Sequence, residues 1–536
     1  MRFYLSDAKV TEDTQFPLFV LSKDFWNDSG YVTGFTLKYF DNFEKYENGR
    51  YYHIGLLKIG KKGMMHDDSK AYLKDEVHTS MPKEFFDELN EDYFSLGQDL
   101  SYYTNIVRQF DEEKREKIFT ALKDVAFNES AFDIASGERV FKSSLLRNLS
   151  KFTVENEYRN LIYGNEVKPS NYELELVIER EVNETPFKIA VVPNSLPQTS
   201  LHALIGRNGV GKSFFFKSLV ANLSNNTEID DEMALDFFSN IKGIEDISSI
   251  LAIDFSIFDS TMPKKSINAD PLNNKLRYTF VGFPFKNQYS QVDYEEIRKR
   301  YEDLKIFKKT KSIEDELIIE FRDLSLMILK RENQLVLLNK VLKIVESDPM
   351  FKDNKVDEWF LNSSEDLEKK RLKDFYRLSS GHKICLLMLL EMVLNIEINS
   401  LVLIDEPELH LHPPLLSSLI KAVNYLLVTK NAIGLVATHS PVVTQEISSN
   451  CVWIMEREMR EIKIKRPKMK TFGANINDIT REVFSLEVKR SGYEALIEKV
   501  MRESISINEV FEKFDNQLSD NAKLLVASTW EILENE

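Results

Sequence analysis

The chain has 536 residues, enough for two or more domains with their own cores, and 70 basic against 86 acidic residues give a net charge of −16. So acidic a chain is a poor stand-alone partner for nucleic acid, because phosphate contacts need clustered Lys and Arg; such contact would need a local basic patch or a second protein. Two cysteines, Cys385 and Cys451, are too few for a disulfide framework or a Cys-rich zinc site and fit a reducing cytoplasm. The N-terminus, Met1 to Asp7, lacks a secretory apolar region. The longest apolar run, Ile384 to Leu390, stops at Glu391 and is too short for a bilayer, so no membrane segment is expected.

Strand-like and helix-like stretches alternate over the first 200 or so residues. Val32–Phe40 and Tyr52–Ile59, rich in aromatic and β-branched residues, predict strands. Glu113–Phe127 predicts an amphipathic helix, and Tyr172–Arg180 alternates as a half-buried strand does. The stretch from about 41 to 168 carries no legible chemistry and is expected to be an insertion in a first lobe, 1–290.

Leu201–Ile205 is a short apolar run that leads into Gly206, Arg207, Asn208, Gly209, Val210, Gly211, Lys212 and Ser213. Phe214–Leu223 follows without Gly or Pro. This is GxxxxGK[ST] between a strand and a helix. Its glycines let backbone N–H groups curl towards phosphate oxygens, and the helix that begins there adds its positive end. Lys212 would reach the β- and γ-phosphates of ATP, and Ser213 would offer its hydroxyl to Mg²⁺.

The charged segment 291–375 has helical periodicity and predicts a helical lobe whose charges form a solvated face, without a long coiled coil. Ser379, Ser380 and Gly381 then open an apolar stretch of helical length; small hydroxyl residues there make either an ordinary N-cap or an anion-binding nest. Leu401–Ile404 has the composition of a strand buried on both faces and ends in Asp405 and Glu406. At a strand's carboxyl end, Asp405 would hold Mg²⁺ and Glu406 would act as general base on the attacking water. His410 and His412 follow; with no further ligand cluster evident, a structural or dimer-contact role is expected. Ile433–Thr438 predicts a strand beside that of Asp405, which puts His439 within reach of the γ-phosphate. Cys451–Met455 and Glu461–Lys465 predict a strand pair. A second ATPase lobe of 376–470 closes on a basic run including Lys463, Lys465, Arg466, Lys468 and Lys470, ahead of a helical region, 471–536.

Phosphate loop, Ser-Ser-Gly, carboxylate pair and Thr-His-Ser, in that order, resemble the ABC-type ATPases. The resemblance implies an α/β P-loop NTPase head with a mixed sheet. It makes Ser379, Ser380 and Gly381 the signature that closes over ATP held by a second copy, so that at least a homodimer is needed. It also makes His439 the switch histidine and places a Q-loop between Tyr278 and Gln288, with Gln288 a candidate for Mg²⁺ or water contact. Asp405–Pro413 (DEPELHLHP) with Ala437–Pro441 (ATHSP) narrows the resemblance to soluble ATPases of the OLD and RecF/SMC-like group. Tyr93–Asp99, Thr471–Asn475 and Thr480–Phe484 add similarity to the PtuA ATPases of Septu-type antiphage systems, including retron-associated ones. That implies a PtuB-like HNH nuclease as partner, and in some systems a reverse transcriptase with its RNA–DNA product, msDNA. No nuclease site of the chain's own is legible: no Asp-x-Asp pair and no His follow His439. The alternative is a RecF/SMC-like DNA-binding repair ATPase, for which Lys463–Lys470 is the support.

Overall fold

The computed structural model describes all residues except 1, 29, 67–75, 83, 148, 166–170, 180–185, 225–230, 257–261, 265, 268–275, 283–293, 362–363, 410, 459–460, 483–492 and 534–536. Alternating aromatic and aliphatic residues build a first sheet from Arg2–Leu5 (β1), Leu18–Asp24 (β2), Gly34–Phe40 (β4), Tyr52–Lys61 (β5), Phe85–Phe86 (β7) and Tyr93–Gly97 (β8). Its order is β7-β1-β2-β4-β5-β8, antiparallel except for the parallel pair β1/β2. The predicted strand Val32–Phe40 is divided: Tyr31–Val32 (β3) leaves the sheet to pair with Val77–His78 (β6). Helices Leu100–Gln109, Glu112–Ala121 and Glu129–Ser136 pack on the sheet around Phe3, Phe19, Phe94, Tyr102, Phe119 and Phe141. The helix predicted to reach Phe127 stops earlier, because Lys123 turns left-handed (φ 54°) to bury its ammonium against Glu88 (2.6 Å) and Glu91 (2.8 Å). The expected insertion boundary at residue 41 also moves. β1 and β2 share the sheet and core of the later strands, so this unit starts at the N-terminus rather than interrupting an ATPase lobe.

A second sheet combines Leu201–Ile205 (β11), Ser249–Asp254 (β13), Arg277–Gly282 (β14), Leu401–Asp405 (β15), Ile433–Thr438 (β16), Val452–Glu458 (β17) and Glu461–Lys465 (β18). The order is β14-β13-β15-β16-β11-β17-β18, parallel throughout except for the final β17/β18 hairpin. Strands buried on both faces feed two cores with alternate residues. Leu204, Leu403 and Leu435 face the helix Lys212–Ser224 and a three-stranded sheet of Tyr172–Ile178 (β9), Phe187–Val191 (β10) and Phe238–Lys242 (β12). Ala203, Ile404 and Val436 face the helices Ile313–Leu329, Ser380–Asn395 and Pro413–Thr429. The α/β fold with a mixed sheet, helical lobe and helical C-terminal region is as expected.

The helical lobe departs from expectation in its burial. Its charges do not all form a solvated face: Glu320, Arg322 and Asp323 are buried. Arg322 pairs with Asp323 (2.7 Å) and Glu368 (3.3 Å) and donates to the Tyr301 hydroxyl, which in turn bonds Glu368. Tyr301 and Glu368 lie far from Arg322 in sequence, so the pairing offsets a burial that composition alone does not reveal. The basic run that begins in β18 and continues past it is also partly committed. Arg466 stacks on Trp453 at 3.5 Å and donates to the carbonyls of Val452 and Lys188, while Lys465 pairs with Glu456 at 2.6 Å. Tyr493–Arg502, Ile507–Lys513 and Asp520–Leu533 pack together through Ile497, Met501, Val510 and Val526. Among the described residues no helix is long and apolar enough to cross a membrane.

Candidate nucleotide site

The site gathers at the carboxyl ends of β11, β15 and β16, where the parallel sheet delivers its loops to one edge. After β11 the chain turns tightly beneath β17, and a Cβ on Gly206 would lie 2.5 Å from the Met455 carbonyl oxygen. Gly211 has φ 111°, a conformation that disfavours any side chain, and the helix starts at Lys212. The Lys212 ammonium is buried and donates to the carbonyls of Gly206 (3.0 Å) and Arg207 (3.1 Å). Burial lowers its pKa, opposed by the negative charges of Glu406, Asp405 and Glu408.

Asp405 ends β15, buried, and contacts the Ser213 hydroxyl. Burial pushes its carboxyl up to about 7, with neighbouring Asp254 and Glu406 adding to the rise, while Ser213 and Lys212 oppose it. One Asp405 oxygen has no hydrogen-bond partner. A buried, partnerless carboxylate oxygen beside a serine hydroxyl is a donor set that suits Mg²⁺. The next residue, Glu406, is held at φ 44°, a strained conformation for a non-glycine residue, by its N–H bond to the Ala437 carbonyl (2.9 Å). This turn sets Glu406 3.7 Å from His439 Nδ1. His439 Nδ1 also lies 3.1 Å from Glu408, and both contacts are ion-pair approaches rather than aligned hydrogen bonds. Contact with His439 holds the Glu406 carboxyl below its usual range, with Lys212 contributing. Contact with Glu406, then Glu408, raises His439 against the opposing effect of burial.

The expected adjacency of the His439 strand and the Asp405 strand holds, since β16 pairs with β15 and also with β11. Lys212, Ser213, Asp405, Glu406 and His439 therefore come together. Ser379, Ser380 and Gly381 do not join them. Ser379 caps the helix Ser380–Asn395 and bonds His382; both serines are exposed, and no described hydrogen bond or ion pair links them to the phosphate loop. Gln288 lies outside the described residues. The strand before it, β14, is the outer edge of the sheet, with β13 between it and β15.

Two carboxylates escaped sequence reasoning. Asp254 ends β13 directly opposite Asp405 and is buried beside it. Its signal was present, because Ser249–Ile253 is an apolar-rich run ending in Asp, as Leu401–Ile404 is. Glu408 accepts from the His439 N–H (2.8 Å) and the Thr438 hydroxyl (2.7 Å), fixing the backbone that carries the histidine. His412 also has neighbours that sequence did not reveal. Its ring lies with Asp348 and His382, ligand atoms all within 4.8 Å of one another; His410 is outside the described residues.

Residues 201–444, which span the phosphate loop through His439, match a family model described as "AAA domain, putative AbiEii toxin, Type IV TA system". Over 527 residues the chain is 31% identical to Protein ea59 of Escherichia phage lambda, covering 93% of this chain and 92% of that protein. The chain belongs to the family of Protein ea59. Two solved structures are similar at a TM-score of only 0.25, too low to bear on the fold. One is a metal-chelate type ABC transporter in an inward-facing conformation (15% identical, 55% of this chain and 84% of that one). The other is cbiO1 from Clostridium perfringens, part of the ABC transporter complex cbiONQ (17% identical, 62% and 95%). The ea59 likeness runs well beyond the ATPase domain, since it covers 93% of the chain. The flanking motifs within that span have structural work. Tyr93–Gly97 is a buried strand, Asp99 caps the helix Leu100–Gln109, and Thr471 bonds the Ile447 carbonyl (2.6 Å). Val483 and Phe484 lie outside the described residues.

Proposed function

We propose that this chain is an ATP-hydrolysing switch whose active site is completed when two copies pair head to tail. The observation that carries the reading is a division of labour. Lys212, Ser213, Asp405, Glu406 and His439 converge at one sheet edge, whereas exposed Ser379 and Ser380 open a helix elsewhere. The backbone N–H groups of Gly206–Ser213 and the Lys212 ammonium would hold the ATP phosphates. Ser213 and Asp405 would hold Mg²⁺, which supplies neutralisation of phosphate charge. Glu406, kept ionised by His439 and Lys212, suits a base that orients and deprotonates water. His439, held towards its protonated form, would present positive charge to the γ-phosphate. The signature serines of the second copy would close the site. Lys212→Ala should abolish ATP binding in a titration with a fluorescent ATP analogue; unchanged affinity would overturn the phosphate-loop assignment.

The same proposal extends to what closure controls: a partner HNH nuclease of the PtuB type within an antiphage system, with a retron reverse transcriptase and msDNA in some arrangements. Its support is the resemblance of Tyr93–Asp99, Thr471–Asn475 and Thr480–Phe484 to PtuA. The commitment of Arg466 and Lys465 to intrachain contacts weighs against the chain clamping DNA by itself. Purification from the native operon tests this part separately: an HNH protein should come down with the chain, and its absence would remove the nuclease while leaving the ATPase reading intact.

A further inference from the structure

We infer that Asp348 is a positioning residue which braces the signature serine to the loop behind the catalytic carboxylates; this rests on the composite-site reading above. Three segments meet at it. Asp348 caps the short helix Pro349–Asp353, His382 lies in the first turn of Ser380–Asn395, and His412 caps Pro413–Thr429. The contacts are continuous: Ser379 Oγ to His382 Nδ1 at 2.6 Å, His382 Nε2 to Asp348 Oδ1 at 3.0 Å, and His412 Nε2 to Asp348 Oδ2 at 3.6 Å. Asp348 and His382 are buried, and the Phe351 ring stands edge-on to His382 at 5.1 Å.

Two histidines and a carboxylate this close could be a metal centre or a hydrogen-bonded brace, and the protons decide. The N–H of Leu415 donates to His412 Nδ1 (3.3 Å), so that nitrogen carries a lone pair. In the neutral ring the proton then sits on Nε2, the nitrogen that faces Asp348, and a protonated nitrogen cannot ligate a metal. Asp348 also accepts from the Met350 N–H (2.9 Å), so two hydrogen bonds hold the carboxylate, and His412 Nε2 approaches its other oxygen at 3.6 Å, just beyond hydrogen-bond distance. With Nε2 of His382 likewise given to Asp348, its Nδ1 accepts from the Ser379 hydroxyl. The Ser379 hydroxyl is thus fixed in direction by His382, and it sets the start of the helix whose exposed Ser380 and first N–H groups would face the partner's nucleotide. The far end of the brace, His412, is six residues after Glu406. In a head-to-tail pair each signature serves the other copy's ATP, so the brace ties one site's hydrolytic loop to closure of the other.

His412→Asn tests this, because Asn keeps the N-cap bond to Leu415 and removes the reach to Asp348. ATP affinity of the dilute, unpaired chain should stay within about twofold of wild type. Turnover of the paired chain should fall by about tenfold or more, and the cooperativity of turnover in ATP should fall towards a Hill coefficient of one. Asp348→Asn, which keeps an acceptor for His382, should be milder. Lower thermal stability with turnover and cooperativity unchanged would reduce the cluster to a structural contact and overturn the inference. So would a wild type that loses turnover after chelation and regains it with stoichiometric Zn²⁺ in the presence of Mg²⁺. A wild type whose turnover per chain does not depend on protein concentration would instead remove the composite site itself.

Discussion

Replacing Asp405 with Asn should make the metal-free protein more stable and its Mg²⁺ response weaker. The Asp405 carboxyl is raised from 3.8 to about 7, mainly by burial. A shift of ~3 units at ~1.4 kcal/mol each corresponds to ~4 kcal/mol. The sign follows from proton binding. Between about pH 4 and 7 the folded chain holds a proton on Asp405 that the unfolded chain has released, so stability falls as pH rises through this window and levels off above about 7. Asn cannot ionise and can keep an oxygen for Ser213. Its advantage over wild type should therefore be near zero at about pH 4, grow through the window and reach up to ~4 kcal/mol at about pH 8. Urea unfolding in EDTA, followed by fluorescence of Trp453 in a background where Trp26, Trp359 and Trp530 are replaced by Phe, reports on this sheet because Trp453 packs in its core. MgATP should then stabilise wild type more than the variant, since Mg²⁺ must displace the proton and binds a carboxylate better than an amide. An advantage independent of pH, or a less stable Asn variant at about pH 8, would refute the assignment of a buried ionising group here.

Glu406→Gln should bind ATP but slow hydrolysis by ~10²- to 10⁴-fold and accumulate as a closed pair on size exclusion; normal turnover would remove Glu406 as the base. Ser380→Trp should spare ATP affinity and prevent ATP-dependent pairing, because Ser380 is exposed where the second copy would dock; wild-type pairing by light scattering would contradict that surface. Asp124→Asn should stabilise the N-terminal unit increasingly from about pH 4 to 7, since burial raises Asp124 to about 7 despite the N–H groups of Ala126 and Phe127 and the Tyr103 hydroxyl. Equal stability of variant and wild type across that range would show that the site is hydrated.

What the sequence made legible were features set by local backbone chemistry. Gly206 and Gly211 are demanded by a tight turn, and Leu401–Asp405 by a strand with no polar face. What it hid depends on adjacency between distant segments. Asp254 matters because β13 lies next to β15, and its 151-residue separation from Asp405 leaves no periodicity to read. The same holds for Asp348 and His382, 34 residues apart, and for the buried Arg322–Glu368 pair, whose charges resemble a solvated face until their partner is seen. The N-terminal boundary was missed because β1 has only four residues and pairs parallel with β2, giving no hairpin signal between them.

The helix Ser380–Asn395 connects these observations, since it is buried almost end to end and held at both ends. Its beginning is tied to Asp348 through His382. Just past its end, Glu397 pairs with Arg277 of β14 (2.5 Å) and accepts from the Ser150 N–H (2.8 Å) and the Thr153 hydroxyl of the N-terminal unit. The two kinds of partner differ in chemistry. Losing Arg277 would strand a buried charge, at ~3–5 kcal/mol. Losing Ser150 and Thr153 would leave the ion pair in place and forfeit two hydrogen bonds to a charged group, at ~1.5–3 kcal/mol each. Together the two bonds come to ~3–6 kcal/mol, so the two kinds of partner hold Glu397 with comparable strength. The N-terminal unit is therefore joined, through Glu397, to the same buried helix whose other end carries exposed Ser380, while Lys330–Asp24 and Lys430–Glu157 join it to the ends of the helices Ile313–Leu329 and Pro413–Thr429.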